Sequence, residues 1–280
     1  MLGLTGSFFN FDLAEILSFF AVLIRYSILV AILPFIGDRF VPTLVKVLIA
    51  LSFTIALFPA LVARGLVHPA EAWKWGQTAG GIAGTIGSEV LFALVVGFIA
   101  RLSFEAVSFG GNLVGSFMGF SIASTYDPHQ ESQTQVVAEI QMAIAMLAFL
   151  ALDGHHLMLG AALNSYKIMG LGGLAHAPGG GFNAGLVARL LDVTGQVIRS
   201  GIQLGAPVAI ALFAVNIAFG VMSKAMPQLN ILVLSFAVSA IVGLAVMFLS
   251  VPEFVETSAG MLGRVGDWMN GAMLAMATGR

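Results

Sequence analysis

Four ionisable residues stand inside otherwise apolar runs: Arg25, Glu89, Glu139 and Asp153. A charge within a membrane-spanning segment is costly, so it faces protein or water and marks a site by default. Arg25 has no carboxylate on its own turn, which leaves an inter-helix ion pair or a direct role. Glu89 and Glu139 are the right types for a proton relay. Each equally suits a helix terminus, or a pairing with an arginine of another subunit, and that structural reading is preferred. Asp153-Gly154-His155-His156 offers metal-ligand types. Adjacent histidines, however, leave a helix on different sides, whereas helical zinc sites use i and i+4. The block reads better as a helix-breaking hinge with hydrogen-bonded imidazoles. HExxH, the GxSxG elbow and the P-loop are missing from the sequence. Cysteine is also missing, which removes disulfides, thiolate metal sites and a cysteine nucleophile. Thirteen Met and 22 Phe are read as core or lipid-facing filler rather than a cofactor box. No metal site and no cofactor is implied.

The segments that carry these residues are too apolar for a water-soluble globule. The chain of 280 residues is 59% hydrophobic and 9% charged, with a mean hydropathy of +0.98. Soluble domains are nearer half apolar and a quarter charged. This composition indicates an all-α integral membrane protein. A net charge of −2 argues against nucleic acid, because phosphate binding needs a basic patch. The first fifteen residues hold no Lys or Arg ahead of the apolar run, so a signal peptide is not expected there.

Six segments are long enough for a hydrocarbon core of about 30 Å, which takes about 20 apolar residues. They are Leu13 to Ile36, Val41 to Ala63, Gly80 to Ala100, Val136 to Leu152 with a continuation to Ile168, Ala206 to Met222, and Leu229 to Val251. Trp73 and Trp75 lie in a more polar loop and suit an interfacial belt. Gly170 to Gly185 is glycine-rich and reads as a flexible surface loop. Leu186 to Leu204 is an amphipathic helix of its own. In the turn Met226-Pro227-Gln228-Leu229-Asn230, Pro227 stops one helix and Asn230 is placed to cap the next. A plain hairpin turn leaves Gln228 unexplained.

Between the third and fourth segments lies Gly110 to Pro128, GGNLVGSFMGFSIASTYDP. Gly111, Gly115 and Gly119 recur every four residues, so on a helix they would share a face that lets another backbone approach closely. Phe117, Met118 and Phe120 stand among them, and Met in particular fills irregular space. Tyr126-Asp127-Pro128 ends the run.

Four blocks in order carry a resemblance to the FliR family, the export-gate subunits of flagellar type III secretion, which is related to the SctT injectisome subunits. They are Arg25 to Lys46 with Pro34 and Pro42; Gly111 to Pro128 with Met118-Gly119-Phe120 and Asp127-Pro128; Leu152 to Ser165 with Gly154-His155-His156, followed by Tyr166; and Ala206-Pro207, Asn216, Gly220 and Pro227-Gln228-Leu229-Asn230. Lys224 departs from the pattern, standing where Arg is frequent. The resemblance implies a protein that is not an enzyme. It implies bent helical hairpins, with a FliP-like part over 1–204 fused to a FliQ-like hairpin and amphipathic tail over 205–280. One copy would assemble with five FliP and four FliQ subunits in the bacterial inner membrane, at the flagellar basal body. The closed gate would pass unfolded flagellar proteins and contact FlhB and the proximal rod protein.

The resemblance also implies that 110–128 is a plug-like loop. Gly111, Gly115, Phe117, Met118, Gly119 and Phe120 would form the plug, with Tyr126-Asp127-Pro128 anchoring its far end. Arg25, Lys46, Glu89, Asp127, Glu139, His155, Gln228 and Asn230 would be structural or inter-subunit polar groups. An injectisome subunit is the alternative. A secondary transporter would need a paired inverted repeat, which the sequence lacks, and an intramembrane enzyme would need a catalytic constellation.

Overall fold

A computed structural model of the chain describes residues 12–34, 36–37, 41–120, 133–176, 181–226, 228 and 230–278, with the backbone alone at 133–135, 155 and 175–176. Asp127, with the rest of Tyr126-Asp127-Pro128, lies outside these residues, as do Pro227, Leu229 and the side chain of His155.

The described residues are helical and contain no strand. The helices are α1 (Leu13–Ile32), α2 (Thr43–Ala63), α3 (Ala72–Gly76), α4 (Ala79–Phe117), α5 (Gln133–Ala151), α6 (Gly154–Ile168), α7 (Gly173–His176), α8 (Ala184–Ala225), α9 (Ile231–Leu249), α10 (Val251–Gly263) and α11 (Val265–Thr278). Five of them, α1, α2, α4, α8 and α9, are long and apolar enough to cross a membrane, and the broken pair α5–α6 makes a sixth if counted as one span.

Their ends follow local chemistry. Asp12 caps α1, its carboxylate accepting from the Leu13 amide at 2.8 Å. Pro42 stands immediately before α2, where its missing N–H costs little. The α5–α6 break falls at Leu152–Asp153, where Asp153 takes φ +54°, a left-handed conformation that Asp tolerates better than most residues. Three residues beyond Asp153, the His156 N–H donates to the Asp153 carbonyl at 2.8 Å, and the His156 ring Nδ1 lies 3.4 Å from the Asp153 carboxylate. The helix break expected from this block is observed, with His156 as the one imidazole whose contact is described.

Several segments differ from the sequence reading. The amphipathic extension that the sequence begins at Arg101 and Glu105 is continuous with the third span, giving one helix of 39 residues that ends at Phe117. Leu186 to Leu204 and Ala206 to Met222 are one helix of 42 residues with Pro207 inside it. At a rise of about 1.5 Å per residue, each is roughly twice the length that a hydrocarbon core takes up. The glycine-rich stretch is not a free loop at its start. It contains α7, and Leu174 is buried. Ser250 caps both α9 and α10, with Pro252 in the first turn of α10, so the amphipathic tail is two helices.

The chain forms two compact units. The first comprises 1–101, 157–193 and 265–280. In it α1 packs on α2, with Phe19 and Phe58 edge to face at 5.5 Å. A cluster of Ala14, Ala21, Ala72 and Trp75 receives Leu17, Ile82 and Leu171. Helix α11 buries Trp268, Met269, Met273 and Met276. Asn183 ties it to the start of α8: its amide donates to the Ala275 carbonyl at 3.0 Å, and its Oδ1 accepts from the Leu186 amide at 2.8 Å.

The second unit comprises 102–156 and 194–264. Its core is Val114, Met118, Val137, Val208 and Leu212, flanked by Phe117, Phe120, Val242, Val246 and Met247. Two backbone approaches shape it. A Cβ on Gly111 would lie 2.4 Å from the Ala138 Cα. Gly110 faces Gly201 and Leu204 in the same way, its would-be Cβ 2.8 Å from the Gly201 carbonyl oxygen. Small residues are required at both crossings; the four-residue spacing pointed to Gly111 but not to Gly110.

Candidate functional site: a buried charge cluster and a glycine-bounded helix end

In the first unit, Arg25 and Glu89 meet. They lie on different helices 64 positions apart, and both are buried. The guanidinium is bidentate. Its Nε donates to one Glu89 oxygen and its Nη2 to the other at 2.9 Å. Its Nη1 donates to Ser165 Oγ at 2.7 Å. The Glu89 oxygen that takes Nη2 also accepts from the Gly172 amide at 2.8 Å.

Aromatic rings complete the enclosure. The guanidinium carbon lies 3.9 Å from the Tyr166 ring centre and 4.4 Å from that of Phe92. Arginine suits both the fork geometry and the stacking. The cluster thus joins α1, α4, α6 and the turn ahead of α7. That turn depends on Gly172, which holds φ +66° and whose would-be Cβ would lie 3.1 Å from Thr85. Leu171 beside it enters the apolar cluster of α1 and α3.

The two residues flagged separately in the sequence are therefore one ion pair. The partner of Glu89 is Arg25 of the same chain and not an arginine of another subunit. Ser165, Tyr166, Gly172 and Phe92 were not picked out as members of the site. Ser165 and Tyr166 stood in one of the four blocks, a position signal but not a partner signal. The other polar positions lie apart from this cluster. Lys46 is half-buried and donates to the Gly37 carbonyl at 2.7 Å. Glu139 is exposed on α5, and Gln228 is exposed in its turn. Asn230 caps α9, its Oδ1 accepting from the Val233 amide at 3.5 Å.

The glycine stretch lies in the second unit. Gly111, Gly115 and Phe117 are the last turns of α4, with Gly111 and Gly115 buried. The helix ends after Phe117. Gly119 takes φ +86°, and its would-be Cβ would sit 3.2 Å from the Phe236 ring, so glycine is needed there twice over. Met118 is fully buried, and its side chain fills the space above Gly243, where a Cβ would come within 2.8 Å of it. Phe120 stacks edge to face on Phe236 at 5.9 Å. Beside this end lies a cavity of about 470 Å³, lined by Phe117, Met118, Phe236, Asn216 and Ser239 among others. Ser239 Oγ donates to Asn216 Oδ1 at 3.5 Å. No group of three or more His, Asp or Glu suited to a metal ion occurs among the described residues.

Long apolar helices with a charge pair sealed inside define an all-α membrane protein. A family model described as bacterial export proteins, family 1, matches residues 16–265. The flagellar biosynthetic protein FliR of Escherichia coli K12 is 26% identical over 234 residues, covering 84% of each chain. FliR of Bacillus subtilis 168 is 27% identical over 260 residues, covering 89% of this chain and 96% of its own. FliR of Pectobacterium carotovorum is 26% identical over 265 residues, 93% of this chain and 95% of its own. The chain belongs to the bacterial export proteins of family 1, the FliR family.

Proposed function

We infer that this chain is a subunit of the flagellar type III protein export gate and is not an enzyme. One copy assembles with five FliP and four FliQ subunits in the bacterial inner membrane. The closed pore admits unfolded flagellar subunits, with FlhB and the proximal rod protein as neighbours. The observation that carries this reading is the family match over 16–265, joined to relatives named as flagellar biosynthetic proteins. The surface of the second unit supports it. Ile210, Ile241, Phe248 and Leu249 are 68–78% exposed, far more apolar surface than a water-facing monomer carries. Lipid or neighbouring subunits must cover it.

In this reading the chain from Gly111 onward leads into the plug. Helix α4 runs to Phe117, so 110–117 of the segment expected as a plug-like loop is helix, and Gly119 turns the chain out of that helix inside the segment assigned to the lumen. Phe117 and Phe120, both half-buried, supply apolar bulk of the kind that seals a constriction against water, while Met118 packs inside the second unit.

An in-frame deletion in the source bacterium tests the reading. Hook and filament proteins should vanish from the medium and return with a plasmid copy. Normal filaments in the deletion strain, with loss only of effector secretion, would assign the chain to an injectisome instead.

A further inference from the structure

We propose that the Arg25–Glu89 cluster is a hydrated centre, in which Tyr26, Tyr166 and Thr85 hold ordered water inside the first unit. Five buried side-chain N or O atoms lack a hydrogen-bond partner among the described residues. Three of them are hydroxyls at this one place: Tyr26 Oη, Tyr166 Oη and Thr85 Oγ1. Tyr26 follows Arg25 in sequence and faces Tyr166 at 6.4 Å between ring centres. The Tyr166 ring is the surface on which the guanidinium lies. Thr85 sits one helical turn before Glu89 and borders Gly172, whose amide bonds to Glu89.

Buried hydroxyls are almost always bonded to protein or to ordered water, and internal water occupies polar sites that offer it two to four partners. The cluster offers them. The three guanidinium bonds described use three of its five N–H groups. Two guanidinium N–H groups and the three hydroxyls are then left for water. Water there would lower the desolvation cost of holding two charges among apolar helices. The cluster lies wholly within the first unit, and its hydration does not depend on the export reading.

Hydroxyl-radical labelling of the full chain in lipid nanodiscs tests it, because radicals made from internal water mark the side chains beside that water. Normalised for intrinsic reactivity, Tyr26 and Tyr166 should be modified well above Phe58, which is buried among apolar groups at 1% exposure. Rates as low as that of Phe58 would overturn the proposal. The sign of a stability change provides the second measurement. Tyr26→Phe, Tyr166→Phe and Thr85→Val keep the shape and remove the hydroxyl. If the hydroxyls are bonded to water, each variant should melt about 2–4 °C lower. An unchanged or raised Tm would mean that the hydroxyls are unbonded, and would overturn it equally.

Discussion

Arg25 is held by charge, by hydrogen bonds and by two aromatic faces at once, and Glu89 links it to a backbone amide on the far side. Removing one member of such a pair leaves the other buried and uncompensated, which costs about 3–5 kcal/mol. Arg25→Ala or Glu89→Ala should therefore lower the melting temperature of the full chain sharply. Arg25→Lys should recover little, because a lysine keeps the charge but loses the bidentate fork and the stacking. A fluorescence melt in detergent checks both, and an Arg25→Lys variant as stable as wild type would contradict the geometry. Charge inside an apolar run made both residues visible in the sequence. Their pairing was invisible, because a contact 64 positions apart leaves no periodic signal. Gly172 was hidden in a glycine-rich stretch whose composition suggests freedom rather than anchorage.

At the level of the helix, glycines of similar appearance have opposite roles. Gly87 lies in α4 with nothing within 4 Å of a would-be Cβ, whereas Gly111 in the same helix would drive a methyl to 2.4 Å from the Ala138 backbone. Gly87→Ala should raise stability by up to about 1 kcal/mol through helix propensity alone. Gly111→Ala should lower it by roughly 1–3 kcal/mol, because overpacking against backbone cannot relax at a side chain's expense. Parallel melts of the two variants decide the matter; equal shifts would refute the close crossing of α4 and α5. Apolar run length located the five long apolar helices and the broken α5–α6 pair in the sequence. The continuity of α8 was not legible, because its amphipathic first half and apolar second half read as separate helices with Pro207 at their junction. Tertiary context overrides local propensity, although Pro207 leaves the α8 ladder one N–H donor short.

For the whole molecule, the plug reading makes a functional prediction. Shortening Gly115 to Ser121 keeps the close crossings at Gly110 and Gly111 but removes Met118 from the core of the second unit, so conductance is read only on gates shown to assemble, and there it should rise. Unchanged conductance with normal assembly would return the stretch to a plain helix-packing role. The family was legible from four short blocks because they preserve turn, crossing and charge positions in order. The subunit surroundings were not, since a helix face rich in Phe and Ile reads alike whether lipid or protein covers it.

Assembly is the central claim, and its most direct measurement is the mass of the particle purified through a tag on this chain after co-expression with FliP and FliQ. A single species containing one tagged chain, five FliP and four FliQ is the predicted result. A stable tagged monomer that recovers neither partner would contradict the account.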